Sequence, residues 1–266
     1  MTTKLRLMAL ALVVALFSVQ CTKDDAGAPN LPTTIDSYFD NGEFSYEGVN
    51  IPYRDAITTN NSNGKAPLLV VLHGQNASGT DNIIQLRTSA MLSIWHYFSS
   101  NNIKATILAP QCSSRRAWDE KSGDVKGATM SQALKALIDD YVSKNSNVDT
   151  SKIYIVGYSD GAQPAGAGGV WQMLNSYTET FAAAMVVAAD PDDSISPKSV
   201  AKTPVLSIRC ESDVYAVALT LGAFGDLVRD AGGVLEEKVM HTRSREDICR
   251  DAFSAENLDW LLQYTR

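Results

Sequence analysis

Ser159 stands at the centre of Gly157-Tyr158-Ser159-Asp160-Gly161, directly after the apolar run at 153–156. A serine on a sharp turn between a buried strand and a small-residue segment presents its hydroxyl as a nucleophile. Glycines two residues to either side suit such a turn, because the strained backbone there would drive larger side chains into collision. The pentapeptide is short enough to arise by chance, so its surroundings must carry the argument. Acyl transfer by a serine also needs two backbone N–H groups aimed at the developing oxyanion. Asp160, the residue after the nucleophile, supplies one; the other is expected at the exit of the first buried strand, where His73-Gly74-Gln75 stands.

Continuous apolar runs at 67–74, 105–110, 152–159, 182–190 and 203–210 read as strands buried on both faces, which belong to a parallel sheet. Ahead of them, alternating segments near 43–47 and 50–57 predict two strands joined by a turn at Gly48. Helix-length segments lie between the runs, at 80–101, 128–145 and 218–232. In the second, Met130, Leu134, Leu137, Ile138, Tyr141 and Val142 recur at three and four and share one helical face. A last strand is expected within 232–241 and a last helix within 254–266. Strand and helix alternating in this way predict an α/β fold, a doubly wound and mostly parallel sheet with helices on both faces. Ligands in such sheets meet the loops at the carboxyl ends of the strands, which is where Ser159 falls.

With 266 residues, 45% of them hydrophobic and 20% charged, the chain is expected to form one α/β domain. A net charge of -7, with no basic run after Arg6, argues against a nucleic-acid partner. Lys4 and Arg6 precede an apolar stretch at 7–19 that is short for a membrane span, so residues 1–20 read as an export signal. Cys21, followed by a polar stretch, resembles the lipidated cysteine of bacterial lipoproteins, although Gln20 departs from the small residue usual before it. An ordinary cleaved signal with a chance cysteine is the alternative. Residues 21–36, polar with two prolines, read as a lipidated tether and 37–266 as the folded domain. The expected location is the cell envelope, with the acidic residues after Cys21 resembling tags for the outer membrane and a lipid anchor as the sole membrane contact. Three histidines (73, 96 and 241) and three further cysteines (112, 210 and 249) have no metal-site spacing, so neither metal nor cofactor is expected.

Five segments together resemble α/β-hydrolase esterases of the feruloyl-esterase and polyhydroxybutyrate-depolymerase type. They are "LLVVLHGQNASGTD", "ILAPQC" with Trp118 downstream, "NVDTSKIYIVGYSDGA", "FAAAMVVAADPDD" and the terminal "LDWLL". The resemblance spans roughly residues 43 to 266. It implies Ser159 as nucleophile, Asp213 as the acid, the backbone N–H groups of Gln75 and Asp160 as the oxyanion hole, and a histidine ahead of the last helix. Asp190, Asp192 and Asp193 form a fallback acid position.

The chain departs from that pattern in two places. Arg209-Cys210 replaces a usual His-Gly pair before the acid, and the expected histidine position falls on Arg245 or Glu246. His241 is the only imidazole nearby, four or five residues early, and it preserves the chain order Ser, Asp, His. The open alternatives are that His241 completes the triad or that it is a surface residue and the triad is broken. His73 reads as a structural histidine at its strand exit, and His96 as a packed or surface residue. Trp118 either walls an acyl or sugar pocket or packs in the core. Arg115 and Arg116 either meet an acidic substrate or are solvated. The small residues at 163–170 suggest a displaced helix start after the turn. Cys210 and Cys249 flank the acid and histidine loops, so a disulfide between them is expected, leaving Cys112 over.

These features predict a serine hydrolase that cleaves carboxylic esters through an acyl-enzyme, with acyl or feruloyl groups on plant polysaccharide as candidate substrates. The competing expectation is a catalytically inactive hydrolase fold serving as a surface binding lipoprotein. A peptidase of the same fold would need a substrate-gating domain for which the chain has no room.

Overall fold

The computed structural model describes residues 34–59, 64–113, 118, 127–163, 169–210, 218–241 and 245–266. Eight strands form one sheet: β1 (Asp40–Tyr46), β2 (Val49–Ile57), β3 (Ala66–Leu72), β4 (Thr106–Pro110), β5 (Val148–Tyr158), β6 (Ala183–Val187), β7 (Val205–Cys210) and β8 (Leu235–Met240). Their order is β1-β2-β4-β3-β5-β6-β7-β8. β1 pairs antiparallel with β2, and β2 with β4; every later pairing is parallel. The alternating first strands and the continuous later ones therefore correspond to two regimes of burial. β1 lies at an edge and is largely exposed, whereas β3, β4 and β6 are buried along almost their whole length. Glu47 and Gly48 both take positive φ between β1 and β2, which closes the tight hairpin expected at Gly48.

The helices are α1 (Ser89–Ser100), α2 (Met130–Lys144), α3 (Val170–Ser176), α4 (Pro197–Val200), α5 (Ala218–Asp230), α6 (Arg245–Asp251) and α7 (Ala255–Leu262). Two separate apolar clusters show that the sheet is covered on both faces. α2 and α3 pack on one face, with Phe224 and Val228 of α5; α1, α6 and α7 pack on the other. α2 begins in a capping box, with Thr129 and Gln132 each bonding the other's backbone, and buries Met130, Leu134, Leu137, Ile138 and Tyr141 as its periodicity predicts. Ile35, inside the segment expected as tether, is buried in the α1 cluster, and Asp36 pairs with Arg87.

The helix expected over 80–101 starts late. Asp81 accepts the Ile83 and Ile84 N–H groups and Asn82 takes φ +54°, so the chain makes a 3-10 turn at Ile84–Arg87 before Thr88 caps α1. A larger displacement follows Ser159. β5 runs into a 3-10 turn, Ser159–Gly161, and among the described residues the next helix is α3, from Val170. Trp171 N–H donates to the Ala162 carbonyl and ties the start of α3 to the serine turn. The short helices α4 and α6, about one and two turns long, are too brief to set up a recurring apolar face in the sequence.

Candidate active site

β5 lies between β3 and β6, with Gly157 in register with Leu72 on one side and Val186 on the other. At its end Ser159 takes φ +54°, a conformation that costs a residue with a side chain on the order of 1–3 kcal/mol. The glycines flanking it are sterically required. A Cβ at Gly157 would lie 2.4 Å from the Gly161 carbonyl oxygen, and one at Gly161 would lie 2.4 Å from that of Leu72 and 2.6 Å from that of His73. The turn is thus pressed against itself and against the end of β3, which holds Ser159 half-exposed above the sheet's carboxyl edge.

β3 exits into a second short turn, Gln75–Ala77, which packs against the serine turn. Gly74 permits that approach, since a Cβ there would lie 2.9 Å from the Tyr158 ring and 3.2 Å from Ser159 Cβ. A cleft of about 390 Å³ opens at this junction, lined by Gly74, Gln75, Arg87, Thr88, Tyr158 and Ser159 among others, with Cys249 of α6 in its wall. Gln75 is exposed there. Two backbone segments expected to supply oxyanion donors therefore meet beside the serine hydroxyl. Arg87 reaches the cleft with its guanidinium held by Asp36 at 2.7 Å, and burial pushes the Tyr158 phenol up to about 12.

No family model and no curated protein matches the sequence. Solved structures do. A thermostable esterase superposes with a TM-score of 0.73 at 24% identity, covering 87% of this chain and 64% of its own. A ferulic acid esterase matches at 0.62 and 13% identity, covering 85% of this chain and 96% of its own. An acylaminoacyl peptidase from Pyrococcus horikoshii matches at 0.60 and 13% identity, covering 81% of this chain but 39% of its own. This chain has the α/β-hydrolase fold. It spans less than two thirds of the thermostable esterase and of the peptidase.

The α/β-hydrolase sheet brings Ser159, Asp160 and Gln75 together, and it treats the three histidines differently. His73, 2% exposed, has both ring nitrogens occupied: Cys112 N–H donates to Nε2 at 2.9 Å, so Nδ1 carries the proton and donates to the Gly74 carbonyl at 2.8 Å. Burial pushes its pKa down to about 4, and it is a neutral structural brace. His96 lies on α1, with Nδ1 2.9 Å from Ser100 Oγ, beside a separate surface hollow. His241 follows β8 directly and is exposed; it is not among the described residues that line the cleft. Arg245 and Glu246, at the position where relatives are expected to carry histidine, lie in the first turn of α6. Asp213 lies outside the described residues, three positions beyond the end of β7.

Of the fallback acids, Asp192 accepts the Ser194 N–H and forms a turn, Asp193 is exposed, and Asp190 sits half-buried past β6 with both carboxylate oxygens out of solvent contact. Arg115 and Arg116 lie outside the described residues.

Trp118 is a core residue. It is 0% exposed, its indole N–H donates to the His73 carbonyl at 2.9 Å, and its ring lies 5.1 Å from the His73 ring. The expected Cys210–Cys249 disulfide is not formed: both are buried thiols in the same apolar cluster, as Cys112 is in the other, and no disulfide occurs among the described residues. Nothing in the sequence marks Arg87, Thr88 or Cys249 as cleft residues. Their place there follows from how α1 and α6 pack together over the sheet edge, for which no local pattern exists.

Proposed function

We propose that the protein is a serine hydrolase that cleaves carboxylic esters through an acyl-enzyme. The observation that carries this reading is Ser159 held at φ +54° on a glycine-bounded turn, beside a cleft walled by Gly74 and Gln75. In this reading Ser159 Oγ attacks the ester carbonyl carbon while its proton passes to the His241 imidazole, which Asp213 orients. The Gln75 and Asp160 N–H groups stabilise the tetrahedral oxyanion. Its collapse expels the alcohol, which takes the proton from the imidazolium. Water, deprotonated by the same imidazole, then attacks the acyl-serine and releases the acid. The ferulic acid esterase and thermostable esterase among the structural neighbours support ester hydrolysis, and carbohydrate-linked acyl or feruloyl esters are the substrates we favour. We further read residues 1–20 as an export signal and Cys21 as a lipid anchor to the bacterial cell envelope, at the outer membrane.

The exposure of His241 favours a second reading, an inactive hydrolase fold that binds a ligand at the same cleft. Fluorophosphonate labelling and turnover of short-chain nitrophenyl esters separate the two. Labelling lost in Ser159→Ala, with turnover reduced on the order of 1,000-fold or more in His241→Ala, is the expected result. A wild-type protein that is neither labelled nor active overturns the enzyme reading. For the anchor, Cys21→Ala is expected to abolish labelling by a palmitate analogue, and undiminished labelling refutes it.

A further inference from the structure

Resting on the ester-hydrolase reading, we propose that Gln111 is a positioning residue whose buried amide fixes the loop from Gly74 to Asn82 and so aims the Gln75 N–H at the oxyanion. Gln111 follows the last residue of β4 and is 0% exposed. Its side chain makes three bonds into that one loop. Nε2 donates to the Ala77 carbonyl at 3.2 Å and to Asp81 Oδ1 at 3.0 Å, and Oε1 accepts the Asn82 N–H at 2.7 Å. Its own N–H donates to the Pro52 carbonyl of β2 at 2.8 Å, so the amide works from a fixed base.

The neighbouring residue repeats the arrangement through its backbone. Cys112 N–H donates to His73 Nε2, and the Cys112 carbonyl accepts the Gly79 N–H at 2.9 Å. Gly79 leaves room for the amide, since a Cβ there would lie 3.1 Å from Gln111 Nε2. At the far end of the loop, Asn82 at φ +54° donates through Nδ2 to the Tyr53 carbonyl at 2.9 Å and accepts from Gln85. The loop that carries Gln75 is therefore pinned at Ala77, Gly79, Asp81 and Asn82, all within seven residues of that amide. An oxyanion hole contributes to rate only to the extent that its donors are already in place when charge develops. A buried side chain with no path to substrate and three bonds to the donor-bearing loop has that effect.

The bond to Asp81 gives the test its sign. Three donors hold the Asp81 carboxyl below the usual carboxylate range: the Ile83 and Ile84 N–H groups and the Gln111 amide. Gln111→Glu keeps the shape but turns a carboxylate oxygen toward Asp81 and toward the Ala77 carbonyl. Gln111→Leu keeps much of the volume and leaves the loop groups unpaired. The decisive measurement is kcat per active site, with sites counted by fluorophosphonate titration so that misfolded protein does not enter. Both variants are expected to lose about tenfold or more in kcat with KM within about twofold, and to lose affinity for a boronic-acid transition-state analogue in parallel. In Gln111→Glu, the ratio of variant to wild-type kcat is expected to rise as the pH falls and the introduced carboxyl regains a proton to donate. Should neither variant fold, Asn82→Gly, which keeps the backbone conformation and cuts the other anchor, is expected to lower kcat in the same direction. A kcat per site within twofold of wild type in every variant that folds overturns the proposal while leaving the ester-hydrolase reading intact. A wild-type protein without labelling or turnover overturns both.

Discussion

The Cα of Gly161 sits so close to Leu72 that a methyl group on it would stand 2.4 Å from the Leu72 carbonyl oxygen. The serine turn is therefore seated on the end of β3, and no side-chain rotation relieves the overlap because the obstacle is backbone. Gly161→Ala is expected to lose on the order of 3 kcal/mol or more of stability, and Gly157→Ala a comparable amount, as read by urea unfolding. A substitution at Gly222, where nothing lies within 4 Å of the methyl group that alanine would add, serves as the control.

Ser159 carries the opposite expectation. Its φ of +54° is a conformation that glycine adopts without steric cost. Ser159→Gly is expected to raise stability by about 1 kcal/mol, or roughly 2–4 °C in Tm, while removing fluorophosphonate labelling altogether. A variant that melts at or below the wild-type temperature would show that the turn holds no strain.

His73 gives the protein an acid-sensitive brace. Its pKa falls from the ordinary 6.5 to about 4 on folding, so the unfolded chain binds the proton more tightly than the native one. The stabilisation is fully present above pH 6.5 and is lost as the pH drops from there towards 4, by an amount approaching about 3 kcal/mol. Urea unfolding between pH 7 and pH 4 is expected to show this slope, and His73→Gln to flatten it by about one proton. An unchanged slope in the variant would contradict the assignment.

The thiols at Cys210 and Cys249 are expected to leave the Tm indifferent to reductant. Mass spectrometry of the protein denatured in iodoacetamide without prior reduction is expected to find both alkylated. A pair resistant to alkylation until reduced would restore the bridge that the structure lacks.

The parts of the fold visible in the sequence are those set by residues adjacent in the chain. Continuous apolar runs mark β3 to β7 because these central strands face protein on both sides of the sheet, and alternation marks β1 at the edge and β2 beside it. Ser159 is visible for a related reason: strand, turn and flanking glycines lie within one short window. The pairings that decide other roles join distant residues. Trp118 reads equally well as pocket wall or core until its indole is seen on the His73 carbonyl, 45 positions away. The delayed start of α1 depends on Asp81, whose carboxylate takes the N–H groups of Ile83 and Ile84 that would otherwise begin the helix, and on Asn82, whose φ of +54° is not helical and whose amide donates to Tyr53 of β2. His241 carries no local pattern that reveals whether it turns toward the serine.

The way α3 joins the serine turn has an electrostatic consequence. A helix that began at the nucleophile would direct the partial positive charge of its first turn at any anion formed there, worth several tenths of a kcal/mol to about 2. Here the serine opens a 3-10 turn, Ser159–Gly161, and α3 begins at Val170 with its Trp171 N–H already donated to the Ala162 carbonyl. In the ester-hydrolase reading, the Asp160 and Gln75 N–H groups therefore carry more of any negative charge that develops at the serine, because part of the first turn of α3 is already satisfied within the fold.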